Sequence, residues 1–484
     1  MKQVANQFWF VVGSQHLYGA EALKEVEKNA KEIAAGLNAS DAIQTEIVFK
    51  GLGTSAEEIV NIVKEANYDD NCAGLITWMH TFSPAKMWIA GTKLLQKPLL
   101  HFATQYKAEL PWNEIDMDYM NLHQSAHGDR EYGFINARLK KHNKVIFGHW
   151  QQADVQAEIN DWTDVARAYN ASQTIKVARF GDNMRSVAVT DGDKIEAQIQ
   201  FGWTVDYYGI GDLVAEMDAV SDAEIDATYA EYEKLYDLHV GDNDEATYVA
   251  HVREQARIEI ALRRFLARGN YDAFTTNFED LYGMKQLPGL AVQRLNAEGY
   301  GFAGEGDWKT AALDRMMKVM AHNESTGFME DYTYDLTPEN NVIVGSHMLE
   351  VDPTLAETKP KVMVLPLGIG GKEAPARLVF DGKAGEGITV SMVDLGTHYR
   401  LLVNDVECVT PTEAAPKLPV ARVMWHPQPN QKDGVKAWIY AGGGHHTVLS
   451  LALNKEQIVD WARMMNLETV IIDKHTSIAS MQQL

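Results

Sequence analysis

Cysteine is almost absent from this sequence, whose 484 residues include only Cys72 and Cys408. Two thiols so far apart are too few for a cysteine metal site, and they argue against a disulfide framework. We therefore expect both to be small buried residues. The sequence also lacks any stretch of about twenty uncharged apolar residues, so no transmembrane helix is predicted. The first residues, Met1 to Asn6, lack the apolar core and cleavage pattern of a signal peptide, and a cytoplasmic protein is expected.

Positive charge is scarce as well. There are 44 Lys and Arg residues against 67 Asp and Glu, which gives a formal net charge of −23. Such a balance argues against nucleic acid or an anionic membrane as the main partner. The length is greater than one hydrophobic core usually organises, so several domains are expected.

Short apolar runs alternate with helical patterns in the first part of the chain. This alternation predicts a doubly wound, Rossmann-like α/β domain over residues 1–170, and the same pattern predicts a central α/β domain over 171–326. Ligands bind such sheets at the carboxyl ends of the strands. The loops there in the first domain, Gly13–Gly19 and Trp78–Pro84, are rich in aromatic and polar groups, which suits a sugar or another polyol.

The pattern changes at about Gly327. Short runs follow one another closely, separated by Gly, Pro, Asn and Asp, and they predict a mainly antiparallel, β-barrel-like domain over 327–484. Strands are expected at Tyr332–Leu336 and Ala437–Tyr440, among others. A helix at Lys455–Met465 and a strand at Glu468–Ile472 complete the chain.

One glycine pattern invites a nucleotide-binding interpretation. Gly299-x-Gly301-x-x-Gly304 matches the dinucleotide fingerprint, which requires a strand before it and a helix after it. The preceding run, Leu290–Glu298, has helical rather than strand character. The sequence therefore speaks against a dinucleotide site.

Four segments carry candidate metal ligands. Glu305 stands between glycines, Glu330 lies in an aromatic and acidic cluster, His347 follows a Gly-Ser pair, and His445 and His446 follow three glycines. Carboxylates and imidazoles together suit a divalent metal that accepts oxygen and nitrogen ligands. Each residue alone is more often a turn or packing residue, and the spacing alone proves no site.

The chemistry of such a group has more than one outcome. Two carboxylates beside a sugar can move a proton between adjacent carbons, while a metal stabilises the enediolate oxygens. A hydrolase would instead activate a water molecule on the same metal. The residue types alone leave both reactions open.

The chain resembles the L-arabinose isomerase family over essentially its whole length. The motifs that carry this resemblance are Val12–Gly19, Trp78–Trp88, Ala126–Gly128, Phe180–Arg185, Gly304–Lys309, Phe328–Tyr334, Gly345–Glu350 and Gly443–Thr447. The resemblance implies three domains with a fucose-isomerase-like architecture and a hexameric assembly. It implies conversion of L-arabinose to L-ribulose, and of D-galactose to D-tagatose, through an enediol.

The resemblance also implies specific residues. Mn²⁺, with Co²⁺ as a possible substitute, would be held by Glu305, Glu330, His347 and His446, and the two glutamates would act as the acid/base pair. The implied sugar contacts are Gln15, Leu17, Tyr18, Gln124, His127, Met184, Phe278, Tyr332, Ile369 and His445. The first five of these would reach into the pocket of a neighbouring subunit.

Two alternatives remain beside this interpretation. One is another metal-dependent enzyme acting on a polyol, such as a fucose-type isomerase or a hydrolase. The other is a non-catalytic, periplasmic-type sugar-binding protein, against which the carboxylate pair and the missing signal peptide argue. The chain departs from the family at its end, where Ser477–Leu484 replaces an aromatic, basic tail and leaves the packing of the tail open.

Overall fold

The computed structural model describes residues 4–367 and 370–483. The chain divides into two compact units, with the division between Asn170 and Ala171.

The first unit is a five-stranded parallel sheet with helices. Its strands lie in the order β2-β1-β3-β4-β5, which confirms the doubly wound prediction. The elements are β1 (Gln7–Gly13), α1 (Gly19–Asn38), β2 (Glu46–Gly53), α2 (Ala56–Tyr68), β3 (Cys72–Met79), α3 (Ile89–Leu94), β4 (Leu99–Ala103), α4 (Met117–Leu122), α5 (Ser125–Arg138), β5 (Lys144–Phe147) and α6 (Ala153–Ser172).

Burial explains why these runs form a parallel sheet. Every residue of β3 is buried, as expected for a strand covered on both faces. In α1 the buried residues Val26, Ala30, Ile33 and Leu37 recur at helical spacing, so one stripe of the helix is removed from water.

The second unit begins with a four-stranded parallel sheet in the order β10-β9-β6-β7. Its elements are β6 (Lys176–Phe180), α7 (Lys194–Phe201), β7 (Thr204–Tyr208), α8 (Ile210–Asp218), α9 (Asp222–Leu235), β8 (Asp237–Leu238), α10 (Glu245–Gly269), β9 (Ala273–Thr276), α11 (Gly289–Ala297), β10 (Gly301–Ala303) and α12 (Trp308–Met320). Every residue of α12 is buried, including its charged residues. This helix is therefore the centre of the unit.

The remaining elements include a closed barrel. They are β11 (Thr326–Asp335), β12 (Val342–Ser346), β13 (Lys361–Val364), β14 (Ala376–Val379), β15 (Gly385–Asp394), β16 (Tyr399–Val409), β17 (Val423–Pro427), α13 (Gln431–Tyr440), β18 (His446–Ser450), α14 (Lys455–Met464), β19 (Glu468–Ile472) and α15 (Ile478–Met481). Six antiparallel strands follow the order β15-β18-β11-β12-β17-β16, and β15 pairs with β16 to close the ring. The barrel prediction is confirmed.

Two smaller features complete this region. Strand β19 pairs in parallel with β16, and β13 joins β14 and the short β8 in a separate three-stranded sheet. Helix α15 packs Ile478 and Met481 against a buried cluster that includes Val393, Leu402 and Ile472. Helix α15 is thus held by apolar contacts in the second unit.

The strand predicted at Ala437–Tyr440 is wrong, because these residues form the last turn of α13. Asn430 caps this helix by accepting a hydrogen bond from the Asp433 amide. The buried residues Gln431, Gly434 and Ala437 recur every three positions, which is a helical period. The apolar run of four residues was too short to reveal it.

One further strand differs from expectation. Strand β11 starts at Thr326, so Glu330 lies in the middle of a strand that was predicted to begin at Tyr332. Strand β18 begins at His446, directly after the glycine-rich stretch.

The glycine pattern is not a nucleotide loop. Gly299 follows α11, and β10 lies inside the pattern instead of before it. The context that a dinucleotide fingerprint needs is therefore missing, as predicted.

Both cysteines are buried and unbridged, which confirms that prediction. Within the part of the chain that the structure describes, no helix combines the length and apolar character needed to cross a membrane.

Candidate active site

The candidate residues of the second unit lie where the barrel meets the carboxyl end of β10. Glu305 occupies the loop between β10 and α12. Glu330, at the middle of β11, pairs with Ser346 of β12 on one side and with His446 of β18 on the other. Residues directly opposite each other in antiparallel strands share a face of the sheet. Glu330 and His446 are therefore neighbours although they lie far apart in sequence.

The loop that carries Glu305 is held in an unusual conformation. Glu305 has φ of 62°, a left-handed value that costs a non-glycine residue about 1 kcal/mol or more. The Met184 amide donates a hydrogen bond to the Glu305 carbonyl at 2.9 Å, and the Gly306 amide donates to Thr276 at 3.1 Å. A Cβ on Gly304 would lie 2.7 Å from the His347 ring. The glycines thus let the backbone pass close to the imidazole.

Three side chains form a compact group of potential ligands. Glu305, His445 and His446 each offer one atom, and these atoms lie within 4.8 Å of one another. Glu305 Oε2 is 3.7 Å from His446 Nε2 and 3.8 Å from His445 Nε2. Glu305 Oε2 and His446 Nε2 are both buried and have no hydrogen-bond partner among the described residues. Because burial without a partner is costly, these two atoms fit a bound cation.

Each of two buried imidazoles is oriented by a carboxylate. His446 Nδ1 donates to Asp307 Oδ2 at 3.0 Å, and His347 Nδ1 donates to Glu350 Oε2 at 2.5 Å. The Phe328 ring stands edge-on to both imidazoles, with centroids 5.0 Å apart in each case. A carboxylate that accepts from Nδ1 fixes the tautomer and the ring orientation of a metal-binding histidine and leaves its Nε2 available to the metal.

His445 lies between the two glutamates. Its Nε2 is 3.9 Å from Glu330 Oε1, which is nearly the same distance as to Glu305. His347 lies further away, with its ring centroid 6.2 Å from that of His446. The structure thus brings together all four predicted metal ligands and His445. The most compact group, however, contains His445 in place of Glu330 and His347, and the division between metal ligands and sugar contacts stays a prediction.

The charges of the cluster perturb its titration. Burial alone would raise the pKa of Glu305, but His445, His446 and His347 outweigh it and lower that pKa. Burial alone would lower the pKa of His347, but Glu350, Glu330 and Glu305 raise it to about 9. The pKa of His445 is raised chiefly by its interaction with Glu305. The carboxylates therefore attract positive charge, which a divalent cation can also supply.

Comparison with known proteins shows which family the chain matches. Models of the N-terminal, central and C-terminal domains of L-arabinose isomerase match residues 2–174, 176–323 and 325–468. L-arabinose isomerase 1 of Clostridium acetobutylicum is 69% identical over 478 residues, covering 99% of this chain and 98% of the relative. The Oceanobacillus iheyensis L-arabinose isomerase is 65% identical over 467 residues, covering 96% and 98%. That of Geobacillus stearothermophilus is 57% identical over 474 residues, covering 98% and 96%.

The chain belongs to the L-arabinose isomerase family.

The candidate cluster draws on two of the matched L-arabinose isomerase domains. Glu305 and Asp307 fall in the central-domain match, whereas Glu330, His347 and His446 fall in the C-terminal-domain match. Neither match alone contains the compact group, so the loop after β10 must meet the barrel to complete it.

The other predicted sugar contacts of the second unit have different positions. Met184 touches the site through its backbone bond to Glu305. Phe278 follows β9 and is half-buried, while Tyr332 is exposed two positions beyond Glu330 on β11. Ile369 lies outside the described residues.

The predicted contacts in the first unit follow β1 or lie at the start of α5. Gln15 Nε2 donates to the Phe82 carbonyl at 3.0 Å, and the His127 ring lies 4.6 Å from the Phe82 ring. Gln124 donates to Asn121, and Leu17 is 81% exposed beside Tyr18. The structure thus brings Gln15 and His127 to one aromatic residue, and their role toward a sugar stays a prediction.

Three residues beside the candidate site were missed by sequence reasoning. Asp307 caps α12 by accepting a hydrogen bond from the Thr310 amide, and it also orients His446. Glu350 and Lys309 lie within motifs that carry the family resemblance, but neither was predicted to contribute to the site. The available signal was the presence of extra charged residues beside the predicted ligands, in Gly304–Lys309 and Gly345–Glu350.

Proposed function

We propose that this chain is an aldose–ketose isomerase that converts L-arabinose to L-ribulose. The observation that carries the proposal is the pair Glu305 and Glu330 on either side of His445, in a chain that shares 57–69% identity with proteins of that name. Two carboxylates that face one space can serve as acid and base on adjacent carbons of a sugar.

We also propose that the site binds Mn²⁺, with Co²⁺ as a substitute. Glu305, Glu330, His347 and His446 would hold it, and His445 lies close enough to contribute. Support comes from the unpartnered Glu305 Oε2 and His446 Nε2, since mixed oxygen and nitrogen donors suit such ions better than Ca²⁺. A bound divalent cation supplies positive charge beside the sugar oxygens on which negative charge develops.

The residues of the chain move the protons. One glutamate takes the proton from carbon 2 of the open-chain aldose, and the electrons of that bond form the enediol double bond. The carbonyl electrons of carbon 1 move to its oxygen, which takes up the proton that the hydroxyl of carbon 2 gives up, relayed by the second glutamate. Return of a proton to carbon 1 gives the ketose with unchanged mass. His445, between the two carboxylates, is placed to bind a sugar hydroxyl during these steps.

The finer properties of the family are proposed for this chain as well. We infer a second reaction, from D-galactose to D-tagatose, and a cytoplasmic hexamer. In this assembly Gln15, Leu17, Tyr18, Gln124 and His127 would contact sugar in a neighbour's pocket. Support comes from the position of these residues, which follow β1 or lie at the start of α5, because ligands bind parallel sheets at the carboxyl ends of the strands.

The experiment is a product assay with L-arabinose and Mn²⁺, before and after chelation. We expect a ketose of unchanged mass, loss of turnover on chelation and recovery when Mn²⁺ is added back. The melting temperature should fall on chelation, because a ligand bound only by the folded state stabilises it. A verified metal-free sample with full activity would refute the metal proposal, and absence of ketose from a metal-loaded sample would refute the reaction.

A further inference from the structure

Lys309 is a fully buried lysine next to the candidate site. Its Nζ donates to the carbonyls of Val189 and Thr190 at 3.0 and 2.9 Å, and to Asp307 Oδ1 at 3.1 Å. All three N–H groups of the ammonium therefore have an acceptor. A Cβ on Gly192 would lie 2.8 Å from Lys309 Cδ, so the stem of the side chain is also tightly enclosed.

The Asp307 carboxylate connects this lysine to His446. Its Oδ1 accepts from Lys309 and from the Thr310 amide, while its Oδ2 accepts from the Thr310 hydroxyl and from His446 Nδ1. Four donors fill the two oxygens, so the carboxylate has little freedom to rotate. Of these donors Lys309 is the one lysine, and its ammonium is the charge partner of the buried carboxylate.

Lys309 also fixes the other side of the site. Its two carbonyl acceptors belong to the turn at Ala188–Thr190. The Asn183 side chain also holds this turn, because its Nδ2 donates to the Thr190 carbonyl at 2.6 Å. A Cβ on Gly444 would lie 2.7 Å from Val189 Cγ2, so the turn packs directly against the residue before His445. The Lys309 ammonium thus contacts both Asp307, which binds His446, and the Ala188–Thr190 turn, which packs against Gly444.

We propose that Lys309 is a positioning residue, which through Asp307 and the Ala188–Thr190 turn holds His446 Nε2 in place for a divalent cation. The inference rests on the proposed function, since it requires that His446 binds the metal. Lys309 itself touches neither sugar nor metal in this role. Its effect is to keep the donor atoms where the cation meets them.

The same helix contains a matched control. Lys318 is also fully buried on α12, and its Nζ contacts Asp352 at 2.7 Å and Asp314 at 3.3 Å. It also donates to two backbone carbonyls, those of Asn296 and Tyr300. Lys318 therefore has the same kind of environment as Lys309. Among the described residues, however, it shares no hydrogen-bond partner with the proposed metal ligands.

The test compares Lys309→Met with Lys318→Met in the full chain. The Kd for Mn²⁺ is measured by calorimetry without sugar, on protein shown to be folded by near-ultraviolet circular dichroism. Both substitutions remove a buried lysine and should therefore lower the melting temperature. Only Lys309→Met should also raise the Kd, by about 10- to 100-fold, as loss of an outer contact of a metal ligand does. Lys309→Arg, which keeps the charge but displaces the head group, provides a second folded variant.

The outcomes separate the inference from the proposed function. A raised Kd in the folded Lys309 variants, with the Kd of Lys318→Met unchanged, supports the positioning role. An unchanged Kd in any folded Lys309 variant overturns it, and so does an equal rise in Lys318→Met, which would indicate general destabilisation. If the unmodified protein isomerises L-arabinose yet binds no divalent cation, the metal proposal fails and this inference fails with it.

Discussion

Two buried histidines, one in each unit, respond oppositely to similar burial. His80 stacks on Trp78, with ring centroids 4.3 Å apart, and burial lowers its pKa from 6.5 to about 4. His347 is equally removed from water, but Glu350, Glu330 and Glu305 overcome burial and raise its pKa to about 9. The neighbours of an imidazole therefore decide whether it acts as a packing group or as a centre of charge.

This difference extends to the carboxyl edges of the two parallel sheets. In the first unit, the loops after β1 and β3 are joined by a neutral contact between Ser14 and Thr81 at 2.8 Å. In the second, the loop after β10 carries Glu305, which meets the carboxylate and imidazoles of the barrel, and Glu305 Oε2 and His446 Nε2 lack hydrogen-bond partners among the described residues. Under the proposed function, the first edge would bind sugar and the second, together with the barrel, would carry out the chemistry.

The largest expected effect comes from removing charge at the second edge. Glu305→Gln and Glu330→Gln should each lower turnover by about 10²- to 10⁴-fold, because each removes a proposed acid or base. Rates are measured with Mn²⁺ content determined on the same samples, since loss of metal would lower turnover for another reason. Near-normal turnover in a metal-loaded variant would show that its glutamate is not part of the acid/base pair.

The next prediction tests whether the two edges serve one reaction in different subunits. Inactive Glu305→Gln protein and inactive His127→Ala protein are mixed, dissociated and reassembled. Part of the activity should return, because some pockets then combine an intact first-unit edge with an intact second-unit edge from a neighbour. Hybrid oligomers are verified by native mass spectrometry. If hybrids form and no activity appears, the shared pocket is wrong.

A third prediction concerns His80 and acid. Its folded pKa of about 4 lies below the ordinary 6.5, so the folded protein binds fewer protons than the unfolded chain between these values. The stabilising effect is complete above pH 6.5 and falls as the pH drops toward 4, by about 3 kcal/mol.

His80→Gln should remove this dependence. Hydrogen exchange of the β1 and β3 amides at pH 7 and pH 4.5 measures it, and His142→Gln, at an exposed position of the same unit, is the control. An equal pH dependence in unmodified protein and His80→Gln would contradict the prediction.

The smallest effects come from a pair of glycines. Gly133, within α5, has nothing within 4 Å of a built Cβ, so Gly133→Ala should stabilise the first unit by about 0.5–1 kcal/mol. Gly304→Ala would press against the His347 ring and should cost about 1–3 kcal/mol. Thermal unfolding gives both values, and Mn²⁺ affinity should fall only for Gly304→Ala. Stabilisation by Gly304→Ala would show that the close approach is not needed.

Local patterns were enough to predict most strands and the architecture. Strand β3 was predictable because its apolar run is continuous, and the barrel strands because turn residues separate short apolar runs after Gly327. Both signals are contained within a few consecutive residues. Ala437–Tyr440 was misread because a four-residue apolar run fits a strand and a helix end alike. Only the Asn430 cap and the buried period distinguish them.

The candidate residues stand out in the sequence, but their arrangement in space does not. Glu305, Glu330, His347 and His446 stand in recognisable motifs. The bond between Asp307 and His446, however, joins residues 139 positions apart, and the contact of Lys309 with Val189 spans 120. Such contacts depend on how α12 meets the barrel. No local window contains that information.

The central claim is that Glu305 Oε2 and His446 Nε2 are partners of a metal ion in an isomerase. Anomalous diffraction from crystals equilibrated with Mn²⁺, recorded on both sides of the manganese absorption edge, tests it most directly. The account predicts one strong peak within bonding distance of both atoms, which disappears in Glu305→Ala crystals. A fully active enzyme whose anomalous peaks all lie elsewhere, or persist in Glu305→Ala, would contradict it.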